Sequence, residues 1–567
     1  MRSFESHVLN RMGYGARINN QVNDIDNFRA LGNNDDERLS AYLEQQLDWS
    51  SFNDASFDNL LANANYSTIN RSKINMWNTH HVQGSDRDGP AEELERLMVA
   101  RGAHSEHQLL EVMADFWHNH FNVYSRDYYA QSTLMSWDRD VIRPPVPGFG
   151  RENEFRHAHV FGNFRQLLEL SSRHAAMQHY LDNYINREGS PNENYARELM
   201  ELHTLGAENY VSLGNPDNIP TTQIPLPWGP NGTDILVSIA DQYVDEDVYA
   251  AMRMLTGWKI KDSSNSASSN FEDNGEFFFY EDWHDKFEKT ILAHEWSNFS
   301  PNPADIGEFL DILAYHPGTA RHIARKLCIR FISDNPPQSV VDEVTNAWIS
   351  NRYRGDQLQY VYRALFLSDA FKDSINFGTK MKRPLDAIIS AMRVCNSSFF
   401  PEMDSSDSWR LCVYYPNLAG HKGFNRVTPD GFPEEVNHWQ GGSVLISVMR
   451  AFDWMIDENL GNPDEVMPIL GETLNAPGNE LPSHSPDNLA TFWLNRILGY
   501  EPNGGWPGSD VHTKLRDFLR SNPNDPSLWP ADIALTDISS NSFPNYFYER
   551  LRGFVKALLS TREFLYR

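Results

Sequence analysis

Apolar residues return every three or four positions over several long stretches, the spacing of a helix that buries one face. This pattern predicts helices over 35–49, 91–103, 108–118, 155–172, 305–314, 319–332 and 546–559. Alternation with period two is scarce. The best strand is 276–280, Glu-Phe-Phe-Phe-Tyr, expected to pair with 289–292 around a turn at 283–286. No repeat of fixed period is present.

Three stretches interrupt the helical pattern. Residues 209–234 are rich in Pro, Gly, Asn and Thr and read as an insertion or lid. Residues 262–275 are rich in Ser and Asn, which with the strands above makes 262–292 a flexible loop plus a hairpin. Residues 461–488 form a further Pro- and Asn-dense loop. None reads as an interdomain linker. The expected fold class is therefore mainly α: one large multi-helix body over 1–567, with a small β-hairpin and long Pro/Asn-rich loops.

Charge narrows the function. The 567 residues carry 49 Lys and Arg against 77 Asp and Glu, a formal net charge of -28. An acidic chain lacks the cations that displace counterions from a phosphate backbone, so nucleic acid is not an expected partner. No apolar run approaches the roughly 18 residues of a membrane span. The first residues lack the apolar stretch of a signal peptide, so the chain as given reads as cytoplasmic or already processed. Cys328, Cys395 and Cys412 are too few for a disulfide framework; a 395–412 bridge is open, buried thiols the simpler reading.

Glycine-rich dinucleotide and P-loop motifs, the Gly-x-Ser-x-Gly elbow and His-Glu-x-x-His are all absent. That leaves chemistry assembled from scattered residues. The first candidate is 115–121, Asp-Phe-Trp-His-Asn-His-Phe; with Glu111 just before it, Glu111, Asp115 and His118 share one helix face. His120 lies about 200° round from His118 on an ideal helix. Both histidines reach one ion only if the helix ends near Asn119. The alternative is two hydrogen-bonded histidines in an aromatic-lined helix terminus.

The second candidate is 190–206. Ser190 as N-cap, Pro191 in the first turn, Glu193 in a capping box and Gly206 at the end prescribe a helix. Asn194, Glu198 and Glu201 fall on one stripe, with Arg197 four residues before Glu201 and placed to neutralise it. Paired carboxylates on a stripe suit a metal site or an acid/base pair; a solvated charged face is the plainer alternative. His203 closes the segment. His284 and Asp285 stand at the tip of the expected hairpin, with Lys289 after them, and His316 is expected to cap the helix that follows Pro317. Glu-x-x-His occurs at Glu154/His157, Glu281/His284 and Glu435/His438, too loosely placed to read as a ferritin-like pair.

In order along the chain these segments resemble the bacterial family catalogued as domain of unknown function 1800. The matching pieces are 7–15, 116–121, 162–168, 180–183, 192–206, 255–258, His284-Asp285 with Lys289, 316–320, 380–384, 429–433 before Trp439, and 562–564. The resemblance implies a mostly helical protein of a type frequently exported, and often encoded beside a second uncharacterised family similar to phosphatase and sulfatase folds. It implies no settled reaction. Departures are Ala175 and Ala176 where proline is usual, the long connection between Gly206 and Tyr243, and His421-Lys422-Gly423 in place of a Gln-Pro segment.

The expected function is a metal-dependent enzyme acting on a small organic or peptide substrate, an oxidoreductase or oxygenase before a hydrolase. His118, His120, Glu198, His203 and His284 are the expected ligands, and Arg197, Glu201 and Asp285 the catalytic groups. Histidine and carboxylate without cysteine suit Fe, Cu, Mn or Zn. Two alternatives stand beside it: metal-free acid/base catalysis by Glu198 or Glu201, and a binding or assembly protein with a protein partner.

Overall fold

The computed structural model describes residues 2–145, 155–212, 214–263, 271–297, 302–457, 465–500, 505, 508–522, 527–538 and 545–567. Helix dominates these residues, and their β-structure is three two-stranded antiparallel sheets. Six of the seven expected helices form, as Asp35–Leu47, Gly89–His104, Gln108–His120, Pro303–Tyr315, Pro317–Phe331 and Tyr546–Leu559. The seventh is shorter than its pattern: residues 155–163 make turns, and the helix is Phe164–Arg173. Asn163 sets that start, its side-chain oxygen accepting the Gln166 N–H at 3.2 Å. His316 caps Pro317–Phe331 as expected, Nδ1 accepting from Gly318 N at 2.8 Å.

The strands pair differently from the expectation. Phe277–Phe279 (β4) lies against Trp258–Ile260 (β3), not against 289–292. Lys289–Ile291 (β5) turns directly into His294–Trp296 (β6). Leu292 and Ala293 make that turn with φ of 53° and 62°, the left-handed pair of a type I′ hairpin without the usual Asn-Gly. The 209–234 stretch is not a structureless lid either. Thr221–Leu226 (β1) pairs with Ile235–Ala240 (β2), and Ile224, Leu226 and Ile239 are buried. The Trp228 indole donates to Asp311 at 2.9 Å and Tyr353 OH to Pro225 O at 2.8 Å, so the hairpin is docked on the helical body. Residues 264–270 and 461–464 of the other two loops lie outside the described residues; 465–488 holds a helix, Ile469–Leu474.

All three cysteines are free and buried. No helix among the described residues is long and apolar enough to cross a membrane. The core runs through Gly89–His104, Gln108–His120, Phe164–Arg173, Pro317–Phe331 and Pro384–Val394. At its centre is a lattice of charge. Arg330 reaches Asp115 (2.8 Å), Glu434 (2.9 Å) and Asp386 (3.2 Å). Arg383 reaches Asp386 (3.1 Å), Glu434 (3.2 Å) and Asp115, and Arg567 reaches Asp386 (3.1 Å). Burial disfavours the Glu434 charge, but Arg330 and Arg383 hold its carboxyl down at about 2. Three guanidiniums thus neutralise three carboxylates drawn from distant parts of the chain.

Candidate metal centre

The residues expected to share one ion are placed apart. Gln108–His120 stays helical to its last residue, which keeps His118 and His120 on different sides. His118 Nε2 meets Asp138 Oδ1 at 2.9 Å, and Asp138 also accepts from Arg101 (2.7 Å) and Arg143 (2.9 Å). Glu111, on the same helix face, is bound by Arg143 through both oxygens. Two cavities, of about 10 and 20 Å³, adjoin His118, each with room for a water at most. His120 instead has Lys326 Nζ 3.1 Å from Nδ1 and the His203 carbonyl 3.2 Å from Nε2. With Nδ1 accepting and Nε2 donating, both nitrogens are spent, and no lone pair is left for a metal.

His203 lies beside it, ring centroids 6.1 Å apart, with neither ring nitrogen hydrogen-bonded and its pKa pushed down to about 3 by burial. The helix carrying it starts at Asn194, later than the Ser190 and Pro191 signals predict, and opens into a π-turn over Leu199–His203. Gly206, at φ 91°, ends the segment as expected. Arg197 bonds Glu193 at 2.7 Å and not Glu201, and because the helix starts only at Asn194, Glu193 precedes it and makes no capping box. Burial, then the Glu201 charge, lifts Glu198 to about 7, and burial lowers Lys326 to about 8. His284 is in another corner, Nδ1 2.8 Å from Thr256 O. Asp285 is held by Arg253 through two 2.9 Å bonds and by Lys289. That carboxylate is an ion-pair anchor rather than a free catalytic group. Of the Glu-x-x-His pairs, Glu154 lies outside the described residues.

One group of three ligand-type residues does converge among the described residues, and the spacing of the sequence gives no hint of it. His81, His179 and Asp262 are all buried, with one ligand atom from each within 4.8 Å of the others. His81 Nε2 and His179 Nε2 each lie 3.6 Å from Asp262 Oδ2, near the spacing of two donors held about 2.1 Å from one ion. His81 comes from a π-turn, Trp77–Val82, His179 from Ala175–Tyr180, and Asp262 from two residues beyond β3. In the tautomer that donates from Nδ1 to Ser132 Oγ (3.3 Å), His81 keeps its Nε2 lone pair towards Asp262. His179 has no hydrogen-bond partner at either nitrogen. Burial holds its pKa down at about 3, leaving it neutral, the form that ligates a metal.

Aromatic rings fix the histidines. Trp77 stacks on His81 at 3.8 Å, Tyr129 on His179 at 5.2 Å, and Tyr184 stands 4.4 Å from His179. The Trp77 indole donates to Asp273 at 2.8 Å. Gly275, at φ 69°, brings backbone flat against that indole; a Cβ there would sit 2.3 Å from the ring. Tyr129 is 36% exposed, so the centre is one ring below the surface.

A family model described as a protein of unknown function, DUF1800, matches residues 7–527. The chain belongs to that family. No curated protein and no solved structure matches it. The DUF1800 segment Pro429–Pro433 has a visible structural task here. Asn119, last but one in the Gln108–His120 helix, accepts the Phe432 N–H at 2.6 Å and donates to Phe432 O at 2.8 Å. Gly431, at φ 75°, lies so close that a Cβ would meet Asn119 O at 2.3 Å. In this DUF1800 chain Gly431→Ala is expected to cost about 2–3 kcal/mol. Denaturant unfolding beside wild type checks it; an unchanged midpoint would contradict the docking.

Proposed function

We propose that the chain is a metal-dependent enzyme whose ion is held by His81, His179 and Asp262, and that it acts as an oxidoreductase or oxygenase on a small organic or peptide substrate. The observation that carries this reading is the convergence of two imidazoles and one carboxylate, with neither nitrogen of His179 hydrogen-bonded. Two histidines and a carboxylate with open positions form the donor set of non-haem iron(II), which supports redox chemistry ahead of hydrolysis. Bound there, the ion would supply electron transfer or Lewis-acid activation at its open positions. The chain's part is to hold the ligands. Ser132 orients the His81 ring, Trp77 and Tyr129 clamp the two imidazoles, and Tyr129 covers the centre on its solvent side.

Anaerobic titration of metal-stripped protein with Fe(II) tests this. One equivalent is expected to bind and stabilise the fold, by about 2.7 kcal/mol when free ion exceeds Kd about 100-fold. No saturable binding of Fe(II), Mn(II), Cu(II) or Zn(II) would overturn the reading; selective retention of Zn(II) would move it to hydrolysis.

A second reading, acid–base catalysis without metal by Glu198 or Glu201, is favoured by the Glu198 carboxyl, which burial and then the Glu201 charge lift to about 7. It predicts activity untouched by chelators and lost in Glu198→Gln.

A further inference from the structure

A cavity of about 260 Å³ opens where the helices Asp24–Arg29 and Asp35–Leu47 meet Arg393, and none of its lining residues belongs to the metal centre. About 150 Å³ already suffices for a benzene ring. Three aromatic side chains wall it. Phe28 and Tyr42 meet edge to face, centroids 5.6 Å apart at 68°, and Phe52 stacks on His107 at 4.1 Å. Its floor is an ion lattice. Arg393 Nη2 lies 3.1 Å from Asp24 and 3.5 Å from Glu106, and Arg17 binds Glu106 at 2.7 Å.

What the floor leaves unspent decides the ligand. The remaining N–H groups of Arg393 go to the Gly15, Ala103 and Ser105 carbonyls. The amides of Gln46 and Gln108, also in the lining, are spent on backbone groups. The guanidinium and the two buried amides of the floor are therefore spent while acceptors remain; the other two lining amides, Asn27 and Gln45, stand at the exposed rim. Among the described residues no donor reaches Asp24 Oδ1, whose partner oxygen takes Arg17 N and Arg393, and the Tyr42 hydroxyl has no protein partner. The charge tilts the same way. Asp54 accepts the Glu106 N–H at 3.2 Å, so three carboxylates face the two guanidiniums of Arg17 and Arg393. Acceptors, excess negative charge and aromatic faces together fit an organic cation.

We propose that this cavity binds a small primary alkylammonium ion, its ammonium on Asp24 and Glu106 beside the Tyr42 hydroxyl and its carbon chain against Phe28, Tyr42 and Phe52. The site stands independently of the metal reading. Calorimetric titration of the full chain with butylammonium, with 1-butanol as the uncharged counterpart and butyrate as the opposite charge, tests it. Butylammonium is expected to saturate one site at least about tenfold more tightly than 1-butanol. Butyrate is expected not to bind. Glu106→Gln should weaken butylammonium by about tenfold or more and leave 1-butanol unchanged, with metal content as in wild type. Phe52→Leu, at the half-buried wall, should weaken both and serves if Glu106→Gln does not fold. Equal affinity for butylammonium and 1-butanol, saturable binding of butyrate, or no saturable binding of butylammonium would each overturn the proposal.

Discussion

Replacing His179 with alanine is expected to lower Fe(II) affinity by at least about 100-fold while leaving most of the fold's stability in place. The asymmetry follows from what the ring does. Neither of its nitrogens is hydrogen-bonded, so the fold loses no hydrogen bond with it. The stability cost is the void left between Tyr129 and Tyr184, on the order of 2 kcal/mol. The ion loses one of three ligands. Asp262→Asn makes the same point by charge, since it keeps the shape but removes the anionic oxygen 3.6 Å from both imidazoles. His118→Ala is the contrasting variant: it takes a donor from Asp138, yet Arg101 and Arg143 still hold that carboxylate. Its Fe(II) affinity should stay within a few-fold of wild type. Loss in His118→Ala equal to that in His179→Ala would move the centre back to the Gln108–His120 helix.

The largest effect on stability is expected from Arg383→Ala. Arg383 is fully buried and touches Asp115, Asp386 and Glu434 together. Without it three carboxylates share Arg330 and Arg567, and a buried charge left without its partner costs about 3–5 kcal/mol. Arg383→Lys should recover only part, because an ammonium cannot reproduce the planar fork. Denaturant unfolding measures both; a loss under about 1 kcal/mol in Arg383→Ala would contradict the account of the lattice. The same lattice sets an acid limit. The Glu434 carboxyl is held below its usual range, so its stabilisation is complete above about 4.3 and is lost only as pH falls towards about 2.

Much of the fold is legible because helices announce themselves locally. Residues 303–331 carry apolar spacing and Pro and His cap signals within one or two turns, and they fold as read. Strands depend on a partner the local pattern does not name. Nothing within 276–280 says that Trp258–Ile260, and not 289–292, will lie beside it, and Leu292-Ala293 hides a turn that Asn-Gly would advertise. The site divides in the same way. The 108–120 and 190–206 segments are rich in histidine and carboxylate because they carry buried hydrogen bonds and shifted acids, and two histidines two residues apart on a continuous helix point apart. His81, His179 and Asp262 are separated by about a hundred residues or nearly so, and no spacing rule reaches that far. The one local hint is the His80-His81 pair beside Trp77, where the π-turn forms.

Elemental analysis of the purified chain, wild type beside His179→Ala and His118→Ala, tests the central claim most directly. The account predicts near-stoichiometric metal in wild type and in His118→Ala, and little in folded His179→Ala. Metal-free wild type from cells supplied with iron, copper, manganese and zinc, or equal metal in all three proteins, would contradict it.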